Sequence, residues 1–187
     1  MKKGEKNKTK PLDFIVDGLT KSIELSATSE RFETMVLPLE KTDLPTISKK
    51  AGWKFDWKQE QVDGAKVYKL LLIDDLRVIQ GLAAFYDAEG FIEMSLLESA
   101  PFNVGKGQKY IGVAGNLVAF GCTLSLQKGF GGRLVFTPKT ILMEHYEKTL
   151  GAQRILGTQR MAIYEQQAKR LINMYFPLLN TNQGEQP

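Results

Sequence analysis

The residues of this chain best suited to chemistry gather around one glycine-bearing loop. Gly105, Gly107 and Gly112 lead into an apolar stretch that begins at Val113, with Lys106 and Lys109 among them. Glycines let backbone N–H groups turn toward one point, and a helix start adds positive potential there. With two ammonium groups alongside, the loop suits a phosphate or pyrophosphate. Two standard phosphate loops do not fit. The nucleoside-triphosphate loop ends in Gly-Lys-Ser or Gly-Lys-Thr, which this stretch lacks. The dinucleotide loop fails because Tyr110 stands where its third glycine belongs.

Other candidates are few. One Cys and one His cannot supply a Cys/His zinc site or an internal disulfide, so no metal is expected. Cys122 lies inside an apolar run and reads as a small buried hydrophobe. Tyr146 falls on an apolar helix face, either as a core tyrosine with a satisfied hydroxyl or as an acid. His145 is adjacent and points elsewhere on the helix, which favours a structural role. Glu98 ends a strand facing the loop and is the best carboxylate for a water-mediated base, or is simply a solvated strand end. Trp53, Phe55 and Trp57 alternate with Lys54, Asp56 and Lys58, which predicts an extended segment with one aromatic face.

The elements that must position these residues follow from pattern. Phe14-Ile15-Val16 and Phe32 to Leu39 are strand-like. Thr42-Asp43-Leu44-Pro45 is a helix entry, with the helix running to Ala51 and stopping at Gly52. Val67 to Ile73, Val78 to Tyr86 and Phe91 to Leu97 form a meander with turns at Asp74-Asp75 and at Asp87 to Gly90. Val113 to Gln127 is too long for an ordinary strand and predicts a buried helix, its small residues allowing close packing. Leu134 to Phe136 is a short central strand. Pro138 opens a helix from Lys139 to Leu150, with Leu142, Tyr146 and Leu150 on one face. Short strands at Arg154 to Leu156 and Met161 to Tyr164 precede a last helix bearing Ala168, Leu171, Ile172 and Tyr175. The order implies an α/β (α+β) fold with one mixed sheet.

Lys109-Tyr110-Ile111-Gly112-Val113-Ala114 resembles the Arg/Gln-x-x-Gly-x-Gly/Ala signature of the GNAT acetyltransferase superfamily, with Lys in first place. Downstream, His145-Tyr146-Glu147-Lys148-Thr149-Leu150-Gly151 is similar to that family's Tyr-Glu-Lys-Leu-Gly segment, with one extra residue. The resemblance covers Thr34 to Tyr175 and implies a GNAT-like mixed, mostly antiparallel central sheet flanked by helices. It further implies an N-acetyltransferase that uses acetyl-CoA as acyl donor. The amides of Tyr110, Ile111, Gly112, Val113, Ala114 and Gly115 would hold the pyrophosphate, with Lys109 in the basic position. Leu97 and Ser99 would face the pantetheine arm, Tyr146 would protonate the leaving thiolate, and Glu98 would serve as base. The acceptor would be a small-molecule or peptide amine. The alternative is a non-catalytic protein on the same scaffold, binding CoA, a protein or nucleic acid.

Composition narrows the setting. Of 25 basic and 21 acidic side chains among 187 residues, residues 1–10 hold five Lys and one Glu, leaving 20 of each elsewhere. The net charge of +4 therefore belongs to that end, read as a disordered arm over 1–11, and a nucleic-acid role through it is disfavoured. A single domain over 12–179 and a frayed polar tail over 180–187 complete the expected organisation. No apolar run reaches the roughly 18 residues of a membrane span, and no leader pattern follows the first lysines. A cytoplasmic protein without a membrane partner is the expectation.

Overall fold

The computed structural model describes residues 10–177. Most of the Lys-rich arm and the 180–187 tail lie outside the described residues. From residue 10 the chain runs extended, without regular strand pairing, into β1 (Ile23–Leu25). β2 (Arg31–Phe32) and β3 (Thr34–Pro38) follow. The expected helix ending at Gly52 is instead two 3-10 segments, Lys41–Ile47 and Lys49–Ala51. Pro45 sits inside the first and cannot donate to an α-helical ladder.

The aromatic segment departs from expectation in a second way. Trp57 does not end a strand but starts α1 (Trp57–Val62), capped by Asp56, whose Oδ1 accepts the Gln59 amide at 3.1 Å. Trp53 and Trp57 are both buried while Phe55 is half-buried, so the alternation is one of composition rather than of a pleated face.

β4 (Lys66–Leu72), β5 (Asp75–Ala88) and β6 (Phe91–Ser99) form the expected antiparallel meander. The first turn lies one residue earlier, at Ile73-Asp74. The second closes through Gly90 at φ +79, where glycine has no Cβ penalty. After β7 (Tyr110–Ile111), α2 (Val113–Gln127) has the expected bounds. It lies on the sheet through two glycines. A Cβ on Gly81 of β5 would meet Val113 at 2.6 Å, and one on Gly121 of α2 would meet Phe85 at 2.6 Å.

β8 (Leu134–Phe136) matches expectation. The single helix expected over Lys139 to Leu150 is a 3-10 turn, Thr140–Leu142, followed by α3 (Met143–Leu150). Lys139 stays extended because its N–H is engaged outside the helix, on the Leu12 carbonyl at 2.8 Å. The buried face is therefore Met143, Tyr146 and Leu150, and Ile141 is 87% exposed. β9 (Gln153–Arg154), β10 (Met161–Ile163) and α4 (Glu165–Tyr175) end the described chain.

The main sheet has seven strands in the order β3-β4-β5-β6-β8-β10-β9, and a small sheet has the order β2-β1-β7. Of the main-sheet pairs only β6 with β8 is parallel, the rest being antiparallel. The central sheet is thus mixed, mostly antiparallel and flanked by helices, as the resemblance implies, and the small β2-β1-β7 sheet is additional to the one sheet expected from the element order.

Candidate active site

The site begins where β6 and β8 part. Their parallel pairing covers Ile92 to Met94 against Leu134 to Phe136 and stops there. On the other side of β6 the register slips at the same place, with Met94 opposite Phe85 but Leu96 opposite Ala84. Ser95 is the extra residue of a β-bulge, and a bulge bends the strand that carries it. Beyond Ser95, β6 continues to Ser99 paired with β5 alone.

The edge of β8 that β6 leaves is taken by the chain's own beginning. Arg133 accepts the Ile92 amide through its carbonyl, so the odd-numbered residues of this strand face β6. Two and three odd positions further on, the Thr137 carbonyl accepts from the Leu12 amide at 2.8 Å, and the Lys139 amide donates to the Leu12 carbonyl. Leu12 thus forms a parallel bridge to Pro138 on the β6-facing edge. Leu12, Phe14 and Val16 are buried while Asp13 and Ile15 are exposed, and Asp17 is exposed as a residue although its carboxylate is engaged by the loop. Period-two burial explains why Phe14-Ile15-Val16 reads as a strand, although it joins neither sheet as one.

Six further hydrogen bonds run along this strap. The Tyr146 hydroxyl donates to the Phe14 carbonyl at 2.7 Å, and the two rings stack with centroids 4.7 Å apart. The Val16 amide donates to His145 Nε2 at 3.0 Å, so that nitrogen is the unprotonated one. The Gly112 amide donates to Asp17 Oδ1 at 3.0 Å, and Gln108 Nε2 donates to Asp17 Oδ2 at 3.1 Å. The Thr20 amide donates to the Tyr175 hydroxyl at 3.3 Å, which in turn donates to the Gly18 carbonyl at 3.4 Å.

Electrostatics along the strap are mixed. Loss of water pushes the Asp17 carboxyl above its ordinary value, against the lowering effect of the Gly112 amide, its own amide, Gln108 and Gly18. Burial raises Tyr146 strongly, helped by the Asp13 charge, so its phenol is protonated at neutral pH. Burial likewise raises Tyr175 to about 12.

The glycine loop is arranged as follows. Gly112 is the N-cap of α2 at φ +90, and a Cβ there would collide with Thr20 Oγ1 and the Ser22 carbonyl. A Cβ on Gly115 would collide with the Tyr175 hydroxyl. These two glycines therefore make room for the strap and α4 rather than for helix–sheet packing. Tyr110 and Ile111 pair with Leu25 and Glu24 of β1, and the Tyr110 amide donates to Asn103 Oδ1 at 3.1 Å. Val113 and Ala114 are buried in the first turn of α2. Lys109 is exposed, its ammonium 5.1 Å from the Tyr110 ring centroid.

On β6, Leu97 is buried opposite Ala83, and Ser99 is half-buried opposite Gly81. Glu98 is buried with both oxygens engaged. Oε1 accepts the Lys54 amide at 2.7 Å and Oε2 the Trp57 indole N–H at 2.9 Å. It fastens the aromatic segment to the sheet, and a solvated strand end is not what the structure has. Cys122 is fully buried, and desolvation pushes its thiol far up, which makes it inert. Among the described residues no group of three or more potential ligands could hold a metal ion.

A cleft of about 560 Å³ opens beside the bulge, lined by Ser95 and Leu96, by Asp56, Glu60 and Asp63 around α1, and by Tyr86, Glu93 and Lys10. Desolvation, then the Asp63 charge, raises the Glu60 carboxyl, with Lys10 opposing. Tyr86 is raised by burial and by Glu60, Asp63 and Glu93.

Asp17, Asn103 and Tyr175 are the site residues that sequence reasoning missed. Asn103 braces the loop, donating to Gln80 at its carbonyl (3.2 Å) and Oε1 (3.1 Å). Their partners lie 95, 23 and 157 residues distant, so no local pattern marks them. For Asp17 the only local signal is its place just after the alternating Phe14-Ile15-Val16.

The fold is similar to that of proteins of known structure. A Tyr-to-Phe mutant of the toxin AtaT, bound to the C-terminus of the antitoxin AtaR and acetyl-CoA, is 12% identical over 75% of this chain and 99% of its own, with a TM-score of 0.50. Mutant forms of the spermidine/spermine N-acetyltransferase SpeG from Vibrio cholerae are 14% identical over 74% of this chain and 98% of theirs, at 0.49. No family model and no curated protein sequence matches the chain.

Proposed function

We propose that the chain is a GNAT-type acyltransferase that moves an acetyl group from acetyl-CoA to an amine of a small molecule or peptide. One observation carries this reading. The gap between β6 and β8 has the Tyr146 hydroxyl on one side and the Gly112 amide, at the start of a 15-residue helix, further along. Acetyl-CoA supplies a thioester whose acyl carbon an amine can attack, expelling a thiolate. With the donor in place and the Phe14 carbonyl withdrawn, Tyr146 would supply the proton for that thiolate, since its ring packs on Phe136 and its phenol stays protonated at neutral pH.

Of the amides from Tyr110 to Gly115, those of Val113, Ala114 and Gly115 would hold the pyrophosphate, with Lys109 at the rim. The Tyr110 amide is engaged by Asn103, Ile111 is paired with Glu24 and the Gly112 amide is engaged by Asp17. Leu97 and Ser99, beyond the bulge, line the pantetheine side. The cleft beside Ser95 receives the acceptor, its lining mixing the carboxylates of Asp56, Glu60, Asp63 and Glu93 with the ammonium groups of Lys10, Lys49 and Lys54. Glu98 is the remaining candidate base, acting through water. The donor does not fit the arrangement as it stands: the Gly112 amide is spent on Asp17 and the Tyr146 hydroxyl on Phe14.

That filled gap also favours a second reading, a non-catalytic protein on the same scaffold. Two measurements separate them. Saturating acetyl-CoA at a hundred times its dissociation constant stabilises the folded chain by about 2.7 kcal/mol. Release of free thiol on adding a panel of amines then reports transfer. A thermal shift without thiol release leaves a non-catalytic CoA-binding protein, and no shift at millimolar acetyl-CoA leaves the non-catalytic reading without CoA.

A further inference from the structure

The strap takes the very groups the donor would need, and takes them in order. Going from Leu12 to Thr20, it meets the free edge of β8, the Tyr146 hydroxyl, His145, the Gly112 amide and Tyr175. Two of these are single-proton donors: Tyr146 has one O–H and Gly112 one N–H. Each is fully used by a strap acceptor at hydrogen-bond distance. At Gly112 the acceptor is a carboxylate, an anion at a helix N-terminus, where a phosphate oxygen would otherwise sit. Leu12, Phe14 and Val16 fill the apolar side of the same passage, with Phe14 against Phe136 and Tyr146.

The strap's attachment differs from that of the sheet. Its only described bridge is Leu12 with Pro138, and beyond it the segment is held by side chains: Tyr146, His145, Gln108 and Tyr175. A segment held this way can detach while the main sheet stays paired, because no strand of that sheet depends on it.

We propose that residues 12–20 are an autoinhibitory strap, a stand-in for the acyl donor carried by the chain itself, and that acetyl-CoA binds only to molecules whose strap has left the gap. This rests on the donor site proposed above. The apparent affinity is then the intrinsic one reduced by the fraction of open molecules. Loosening the strap tightens donor binding and locking it abolishes binding.

A reversible lock tests this on the full chain. Leu12 and Pro138 are parallel bridge partners, on strands about 4.8 Å apart, a separation a disulfide can span. In the double variant Leu12→Cys, Pro138→Cys, calorimetric acetyl-CoA binding should weaken at least about tenfold on oxidation and return on reduction. The native Cys122 is buried and does not interfere. Tyr175→Phe removes the hydroxyl that holds Gly18 and Thr20 and should bind more tightly than the parent. In the unaltered protein, saturating acetyl-CoA should speed hydrogen exchange at the Leu12, Val16 and Thr20 amides. That measurement and Tyr175→Phe decide the matter if the cysteine pair does not fold. Equal binding in both redox states, or binding with unchanged exchange in the strap, overturns the inference and leaves the donor site standing. No binding to the parent, the reduced pair or Tyr175→Phe at millimolar acetyl-CoA overturns the donor site, and the inference with it.

Discussion

The hydroxyl of Tyr146 donates to the carbonyl of Phe14 across 132 residues of sequence, at 2.7 Å and in a fully buried setting. The residue implied as an acid is therefore also the residue that fastens the strap. One proton cannot serve both tasks at once, so stability and chemistry are coupled at this atom.

Tyr146→Phe separates the two contributions. It keeps the ring between Phe14 and Phe136 and leaves the Phe14 carbonyl without a donor. Stability should fall by about 1–2 kcal/mol, read by denaturant unfolding. Donor affinity should rise, since the strap is held less firmly. Turnover should fall at least about tenfold, as expected when a general acid is lost. Loss of stability with unchanged turnover would leave Tyr146 as a strap anchor alone.

Asp17→Asn tests what wins at the helix start. Desolvation, the largest influence, holds the Asp17 carboxyl above its ordinary value of 3.8 despite the Gly112 amide. The fold therefore binds this proton more tightly than the unfolded chain does. Stability from Asp17 is full below the unfolded value and is lost as pH rises through the raised one. The stability of the parent minus that of Asp17→Asn should be largest in acid, decline as pH rises past 3.8 and then level off. A difference that grows with pH would mean that the amide and the helix N-terminus outweigh the lost water.

Much of this architecture is legible in the residues themselves. The bounds of α2 and β8 follow from an apolar run too long for a strand and a short one between glycines and Pro138. The meander follows from its turns. The strap does not, because Leu12, Phe14 and Val16 have an alternating pattern whatever edge they meet. Their partner Thr137–Lys139 is visible only in three dimensions. Trp57 misleads for a related reason. Its neighbours alternate in polarity, yet Asp56 caps a helix and the Glu98 carboxylate draws in the Lys54 amide and the Trp57 indole together.

Gly112 shows how the strap alters an experiment that looks simple. From the sequence, a bulky side chain there should block a pyrophosphate while disturbing the fold less. In the structure Gly112 sits at φ +90 beneath Thr20 and Ser22, so Gly112→Val strains the backbone and pushes against the strap. The backbone alone costs about 1–2 kcal/mol for a residue with a Cβ in the left-handed region. Unfolding should show a loss of at least that size, and exchange at the Thr20 amide should rise. A variant as stable as the parent would mean that the strap yields freely at this point.

Glu98 is the sharpest case of a candidate catalyst with a full structural occupation. Its two oxygens accept from two different donors, the Lys54 amide and the Trp57 indole, and both bonds reach into the segment that leads to α1. Glu98→Gln keeps the shape but turns one acceptor into an NH₂ group. Whichever way the amide faces, one donor meets another donor, and a buried N–H loses its partner. The expected cost is about 1–3 kcal/mol, measured by chemical denaturation. The loss should be local as well: the Lys54 amide should exchange faster, and the near-ultraviolet signal of the buried Trp57 should change. Under the base reading, turnover in acyl transfer would also fall once an acceptor is in hand. A variant with parental stability would remove the anchoring role. A destabilised variant with unchanged turnover would remove the base and leave Glu98 as the fastening between β6 and the aromatic segment.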